Sequence, residues 1–385
     1  MKKGKFLILI MLLLLGNSRY IKAEEVDLAE NATSAIIIEA STGEILWEKN
    51  AHEKLAPASM TKIMSMLLIM ENIENGNLSW DEKITASLNA SSMGGSQIFL
   101  EPGEKMTVKD MLKGIAIGSG NDATVAMAER IAGTESKFVE MMNNKAKELG
   151  LKNTNFKDST GLDAENHYSS AYDMAIIAKE LIKHEKILEF TSTYEDYLRQ
   201  DTGNSFWLVN TNKLVRYYQG VDGLKTGFTN TAGYCLTATA KRGDIRLITV
   251  VMNEPSSEIR SKETSNMLDY GFNTYEIDKV LTENSIVGNI KVSLGTNKNI
   301  DIVPVEDINI LNNKTSNKRN ITYEVKANNV KAPIKKGSDI GDIIVLEDSK
   351  ELMRVDVTVI KDVDKVNIFI AYLRNIFSMI SGKVF

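Results

Sequence analysis

The chain has 385 residues, of which 43% are hydrophobic and 25% charged. This globular balance excludes a disordered or collagen-like chain and leaves room for two or three domains. The single cysteine, Cys235, excludes an intramolecular disulfide and a cysteine-rich metal site, and the three histidines (His52, His167, His184) are far apart in sequence, so metal catalysis starts at a disadvantage.

Residues 1–23 have the layout of a secretory signal peptide. Lys2, Lys3 and Lys5 are followed by an apolar run of ten, Phe6 to Leu15, and by the small residue Ala23 ahead of Glu24. The run is short for a spanning helix, and an uncleaved anchor is the alternative. Cleavage after Ala23 removes five of the 46 basic residues and none of the 51 acids, so the formal charge moves from −5 to −10. An acidic, exported protein is a poor nucleic-acid binder.

The β-branched run Ser34–Glu39, the turn Ser41-Thr42-Gly43 and the segment Glu44–Glu48 predict a hairpin. Pro57-Ala58-Ser59 predicts a helix start. From Ile63 to Met70 that helix is apolar nearly all round, as expected of a helix inside a protein core. Thr107 to Asp110 resembles a capping box with Asp for the usual Glu, ahead of Met111, Leu112 and Ile115 at helical spacing. The pattern breaks at Gly118-Ser119-Gly120-Asn121 and resumes over Asp122–Ala132, Glu135–Leu149 and Ala171–His184. Strands are predicted at Gly220–Thr229, Tyr234–Ala240 and Arg246–Met252, and a helix at Ser261–Tyr270. Strands, then helices, then strands and a helix imply a sheet whose two halves flank a helical insert.

After about Tyr275, short Val/Ile-rich segments alternate with Asn, Lys, Gly and Asp. Met353, Val355, Val357 and Val359 alternate with Arg354, Asp356 and Thr358, as in a half-buried strand. Residues 276–360 are therefore expected to form a small all-β domain. In the last 25 residues, Val366, Phe369, Ile370, Leu373, Ile376, Phe377, Ile380 and Val384 share one helical face, with Lys365 and Lys383 near the ends. Such a terminal helix can lie in a membrane interface; docking on its own protein is the alternative.

Ser59-Met60-Thr61-Lys62 is the one Ser-x-x-Lys in the chain. Helical spacing puts Lys62 one turn from Ser59. A serine hydroxyl needs a base, and a lysine in apolar surroundings has its pKa lowered enough to be one. At average composition a chain of this length contains about one such match by chance. Ser119-Gly120-Asn121 puts a hydroxyl and an amide on a tight turn between apolar helices, where they can relay a proton and hold a substrate carbonyl or amide. Ser87-Leu88-Asn89 has the same form but lies in a polar stretch. Lys225-Thr226-Gly227 reads as a strand able to bind a carboxylate, with a glycine that lets an extended peptide lie close. The three motifs occur in that order, 60 and then 106 residues apart.

The set resembles the penicillin-recognising serine acyl-transferases. Among them it looks like the low-molecular-weight D-alanyl-D-alanine carboxypeptidases, most like their sporulation-associated branch. Leu55 to Lys62, Gly94 to Gly103 and Val221 to Gly227 carry the likeness. The resemblance implies an α+β, multidomain chain. A β-lactamase/transpeptidase-like domain over 24–275, an antiparallel sheet with helices and a helical subdomain, would be followed by the β-rich domain 276–360 and the amphipathic helix 361–385. It implies Ser59 as nucleophile, Lys62 as base and Ser119 as proton relay, with Asn121 and Lys225 positioning substrate. The N–H groups of Ser59 and Phe228 would form the oxyanion hole, and Thr226 and Gly227 would hold the substrate, with Arg260 in support. Phe228 stands where some members carry histidine. The implied partners are peptidoglycan stem peptides ending in D-Ala-D-Ala, β-lactams as acylating inhibitors and the outer face of the cytoplasmic membrane, with no metal or cofactor.

His167 could suggest a Ser–His dyad, but a structural loop histidine fits better because Lys62 already supplies a base. Cys235 is read as a buried small hydrophobe, and Trp47 and Trp80 as packing residues; Trp207 is left open. The rivals are a β-lactamase, which would need a Glu-x-x-Leu-Asn that the chain lacks between the second and third motifs, a weakly catalytic cell-wall-binding protein, and an endopeptidase using the same site.

Overall fold

The computed structural model describes residues 26–200, 203–367, 369, 370, 372, 373 and 376. The signal-peptide expectation lies outside them, as do Phe377, Ile380 and Val384 of the terminal helix.

A five-stranded antiparallel sheet organises the first part of the chain. Its strands are β1 (Ser34–Glu39), β2 (Ile45–Lys49), β3 (Val221–Thr229), β4 (Gly233–Arg242) and β5 (Ile245–Glu254), in the order β2-β1-β5-β4-β3. The two halves of the sheet thus come from either end of a helical insert, as expected. All six residues of β1 are buried. The reason is that both faces are covered: Ile36 and Ile38 point into one core, Ala35 and Ile37 into the other.

Among the described residues the six longer helices are α1 (Lys62–Glu74), α2 (Val108–Ala116), α3 (Asn121–Ala132), α4 (Glu135–Glu148), α5 (Ala171–Leu181) and α6 (Ser257–Thr274). Helix α6 covers one face of the sheet through Met267, Leu268 and Phe272, and the α1–α5 cluster lies on the other. Every residue from Lys62 to Met70 is buried, which explains the all-round apolar sequence of α1. The Thr107 hydroxyl accepts the Asp110 N–H at 3.1 Å and donates to the Asp110 carboxylate at 2.9 Å, so the cap forms with Asp in place of Glu.

One local expectation is corrected. The helix does not begin at Pro57; Ala58–Thr61 is a 3-10 turn and the α-helix starts at Lys62. Tertiary packing imposes this turn. Ala58 has φ +47°, and the backbones of Gly161 and Gly227 press on the turn so closely that a Cβ on either would collide with it.

From Tyr275 to Val359 the chain is β-rich. Residues 361–366, expected to open the terminal helix, belong to this domain instead: Val363 bridges Ile334, Lys365 bridges Gly295, and Val363 and Val366 are buried, so their apolar side chains pack into this domain. Tyr275–Leu281 pairs with Ile308–Asn313, and a six-stranded sheet runs from Gly288 to Val359 over its own core, which includes Ile290, Ile302, Ile343 and Val357. No helix among the described residues is long and apolar enough to cross a membrane.

Candidate active site

The 3-10 turn and α1 set the first pair. Ser59 lies in the turn and Lys62 opens the helix, so their side chains meet on one face, with Lys62 Nζ 3.0 Å from Ser59 Oγ. Lys62 is fully buried and also donates to the Thr160 carbonyl at 2.7 Å. Burial pushes its pKa well below the ordinary lysine value, and the Lys225 charge pushes the same way; the Asp158 and Asp122 carboxylates oppose them.

Ser119 and Asn121 lie where α2 gives way to α3. Ser119 is buried with φ +62°, a left-handed conformation that a non-glycine residue holds only under surrounding constraint. The constraint is visible. Gly118 abuts Leu208, Gly120 abuts Ile98 and the Asp122 carboxylate, and the Gly120 N–H donates to the Gly114 carbonyl at 3.0 Å. Asn121 is tied by its N–H to the Ser96 carbonyl and by Nδ2 to the Gly94 carbonyl, both at 2.7 Å. Its Oδ1 is buried with no protein donor in reach. The look-alike Ser87 caps a short helix, accepting the Ala90 N–H at 2.9 Å.

Strand β3 brings the third motif. Its register pairs Lys225 with Thr237 and Gly227 with Cys235. Lys225 is buried, and burial together with the Arg260 guanidinium lowers its pKa to about 7. Arg260, on α6, is itself buried, with no acceptor for its Nε. Thr226 donates to the Thr211 hydroxyl at 2.7 Å. A Cβ on Gly227 would lie 2.7 Å from the Pro57 carbonyl oxygen and 3.2 Å from the Ser59 nitrogen, so this strand runs directly against the Ser59 turn. Phe228 is half exposed and packs on Tyr234, with ring centroids 4.4 Å apart.

With this geometry in place, comparison with known proteins is specific. The D-alanyl-D-alanine carboxypeptidase family profile matches residues 21–256. The chain belongs to the D-alanyl-D-alanine carboxypeptidase family. The penicillin-binding protein 5 C-terminal domain matches residues 275–365 of this carboxypeptidase-family chain. The chain is 51% identical to the D-alanyl-D-alanine carboxypeptidase DacF of Bacillus subtilis, over 96% of this chain and 95% of that one. It is 33% identical to DacC of Escherichia coli, over 88% and 86%. Among solved structures, penicillin binding protein 5 from Haemophilus influenzae superposes with a TM-score of 0.71 at 31% identity, over 90% of this chain and 100% of that one. Penicillin-binding protein D2 from Listeria monocytogenes, solved in an ampicillin-bound form, superposes with a TM-score of 0.54 at 34% identity, over 63% and 98%.

Within this carboxypeptidase-family fold the other singled-out residues have structural surroundings. His167 is buried; its Nε2 lies 2.9 Å from the Thr61 hydroxyl and its Nδ1 3.1 Å from Asp158. Cys235 is buried in β4. Trp80 stacks on Phe190, Trp47 packs against the core on the α6 face, and Trp207 is 56% exposed. The sequence reasoning missed the Thr160 carbonyl, Asp158 and Thr211. Thr160 acts through its backbone, which no side-chain pattern reveals. Asp158-Ser-Thr-Gly161 does carry a turn signature. A cavity of about 830 Å³ between Phe99, Phe206 and Arg199 does not include Ser59, Lys62, Ser119 or Lys225.

Proposed function

We propose that this serine D-Ala-D-Ala carboxypeptidase removes the terminal D-alanine of peptidoglycan stem peptides through an acyl-enzyme on Ser59. The observation that carries the assignment is the fully buried Lys62 amine, 3.0 Å from the Ser59 hydroxyl and well below its usual pKa. Neutral Lys62 takes the hydroxyl proton as Ser59 Oγ adds to the carbonyl between the last two D-alanines. The oxyanion is held by the N–H groups of Ser59 and Phe228; Gly227, the residue before Phe228, runs so near the Ser59 turn that a Cβ on it would lie 3.2 Å from the Ser59 nitrogen, which supports this pairing. The proton then passes through Ser119 to the departing D-alanine nitrogen. The unpartnered Oδ1 of Asn121 is available for the substrate amide N–H. Thr226 and protonated Lys225, backed by Arg260, hold the terminal carboxylate, and Gly227 keeps the strand close to the Ser59 turn. Water releases the shortened peptide. Penicillins acylate the same serine.

The test is D-alanine release from diacetyl-Lys-D-Ala-D-Ala by the wild type, by Ser59→Ala and by penicillin-treated enzyme. Release abolished by both treatments is expected; release that survives Ser59→Ala would overturn the mechanism. The proposal includes export by the signal at 1–23, a catalytic unit over 24–275, a β-rich domain from residue 276 that takes in Val363 and Val366, and a helix beyond residue 367 lying on the outer face of the cytoplasmic membrane. Exposed Phe369, Ile370 and Leu373 support the last point. Sedimentation of the full chain with anionic vesicles, lost on truncation after residue 367, checks it.

A further inference from the structure

We infer that Asp158 is a positioning residue for acyl transfer: it aims the Thr160 carbonyl that orients the Lys62 amine toward Ser59. The inference rests on Lys62 being the base and adds a residue to that assignment. A neutral lysine amine has two N–H bonds and one lone pair. To take a proton from Ser59, the lone pair must face Oγ while an N–H finds another acceptor. In this water-excluding site the acceptor is the Thr160 carbonyl at 2.7 Å. The direction of that carbonyl therefore sets the direction of the lone pair.

Asp158 fixes that direction. The Thr160 carbonyl and the Gly161 N–H belong to one peptide plane and point opposite ways across it. Asp158 Oδ1 accepts the Gly161 N–H at 2.6 Å, so the carbonyl on the other side is aimed at Lys62. The same oxygen accepts the Thr160 N–H at 2.7 Å and the Thr160 hydroxyl at 2.8 Å, closing the turn. Oδ2 faces His167 Nδ1 at 3.1 Å, and the Thr61 hydroxyl, from the residue just before Lys62, lies 2.9 Å from His167 Nε2. His167 Nδ1 also accepts the Lys157 N–H at 3.3 Å, so the ring that meets Thr61 is held in place beside the Asp158 carboxylate. Two further contacts hold the same turn: the Ser65 hydroxyl donates to the Ser159 carbonyl at 2.6 Å, and the Ser159 N–H and hydroxyl donate to Glu135. They anchor residue 159; the 160–161 peptide itself packs against the Ala58 turn through Gly161, and Asp158 supplies the hydrogen bond that sets which way its carbonyl faces.

Asp158 has a second, opposing effect. The charged groups acting on Lys62 are Lys225, which disfavours its ammonium, and Asp158 and Asp122, which favour it. Orientation by Asp158 thus helps the base, while its charge keeps more of the base protonated. Asparagine can retain the oxygen acceptor and lose the charge; alanine loses both.

Three variants separate the two effects. Asp158→Ala is expected to lower kcat about tenfold or more, with KM within about twofold. Asp158→Asn is expected to keep the plateau within about threefold and to move the ascending limb of kcat/KM to lower pH by about half a unit or more. Thr61→Val, which cuts the far link, is expected to lower kcat about threefold to tenfold with the limb in place. The same limb and plateau are read in the rate of Ser59 acylation by penicillin, which needs no peptide turnover. Failure of the carboxypeptidase reading therefore leaves this test intact. A folded Asp158→Ala protein that acylates at the wild-type rate would overturn the inference, as would an Asp158→Asn limb that stays put or moves to higher pH. If Asp158→Ala does not fold, the Asn and Val variants decide by the same criteria.

Discussion

Gly227 and Pro57, 170 positions apart in sequence, are in such close contact that a methyl group on the glycine would lie 2.7 Å from the Pro57 carbonyl oxygen. The strand that presents Lys225 and Thr226 therefore also braces the turn that presents Ser59. Because the obstructing atom is backbone, it cannot swing aside as a side chain would. Gly227→Ala should push β3 off the Ser59 turn while leaving both cores filled. The expected outcome is a fall in penicillin acylation and D-alanine release of about a hundredfold, with circular dichroism unchanged. An alanine variant with wild-type rates would mean that the two elements move apart without consequence for the site.

On the proposed mechanism, Lys225 should give the pH dependence its descending limb. Burial first, and the Arg260 guanidinium second, bring its pKa to about 7. Below that pH the free enzyme presents a cation to the substrate carboxylate; above it the charge is lost. Since kcat/KM reports the ionisation of free enzyme, it should fall as pH rises through about 7. Lys225→Gln should bind substrate more weakly and flatten that limb, with the ascending limb of Lys62 still present. Measuring kcat/KM from pH 5.5 to 9.5 in both proteins decides it, and a descending limb that persists in the glutamine variant assigns it to another group.

The parts of the site legible in the sequence were those set by local spacing. Ser-x-x-Lys spacing puts two side chains on one face, and the structure has them 3.0 Å apart. The glycines around Ser119 announced a turn, and Thr107 and Asp110 announced a helix start. The all-apolar stretch after Ile63 announced a buried helix. What stayed hidden was set by partners remote in sequence. The 3-10 geometry at Ser59 depends on Gly161 and Gly227, about 100 and 170 positions away. The acceptor for Lys62 is a backbone carbonyl, and the pKa of Lys225 depends on Arg260 across the sheet-to-helix interface. The β1 run is apolar without alternation because the sheet is covered on both faces.

Glu254 predicts a stability that declines toward alkaline pH. It is 1% exposed and neither carboxyl oxygen has a protein donor in reach. The neighbouring Glu263 is better served, accepting the Asn31 N–H at 3.0 Å, Asn31 Nδ2–H at 2.5 Å and the Ala32 N–H at 3.3 Å. Glu254 is therefore the carboxyl that keeps its proton. Burial first, and the neighbouring Glu263 second, raise Glu254 from about 4.5 to about 8. Between those values the unfolded carboxyl is ionised while the folded one keeps its proton. The folded state binds more protons there, so stability falls as pH rises from about 4.5 to about 8 and this contribution levels off above. Asp158, held at about 2 by His167 and its turn N–H groups against the effect of burial, acts with the opposite sign but only at lower pH. Glu254→Gln ionises in neither state and can donate its amide to Glu263, so it removes the slope. Calorimetry at pH 5, 6.5 and 8 should show the wild-type Tm falling a few degrees more than that of the variant. Parallel curves would mean that Glu254 is charged in the folded protein.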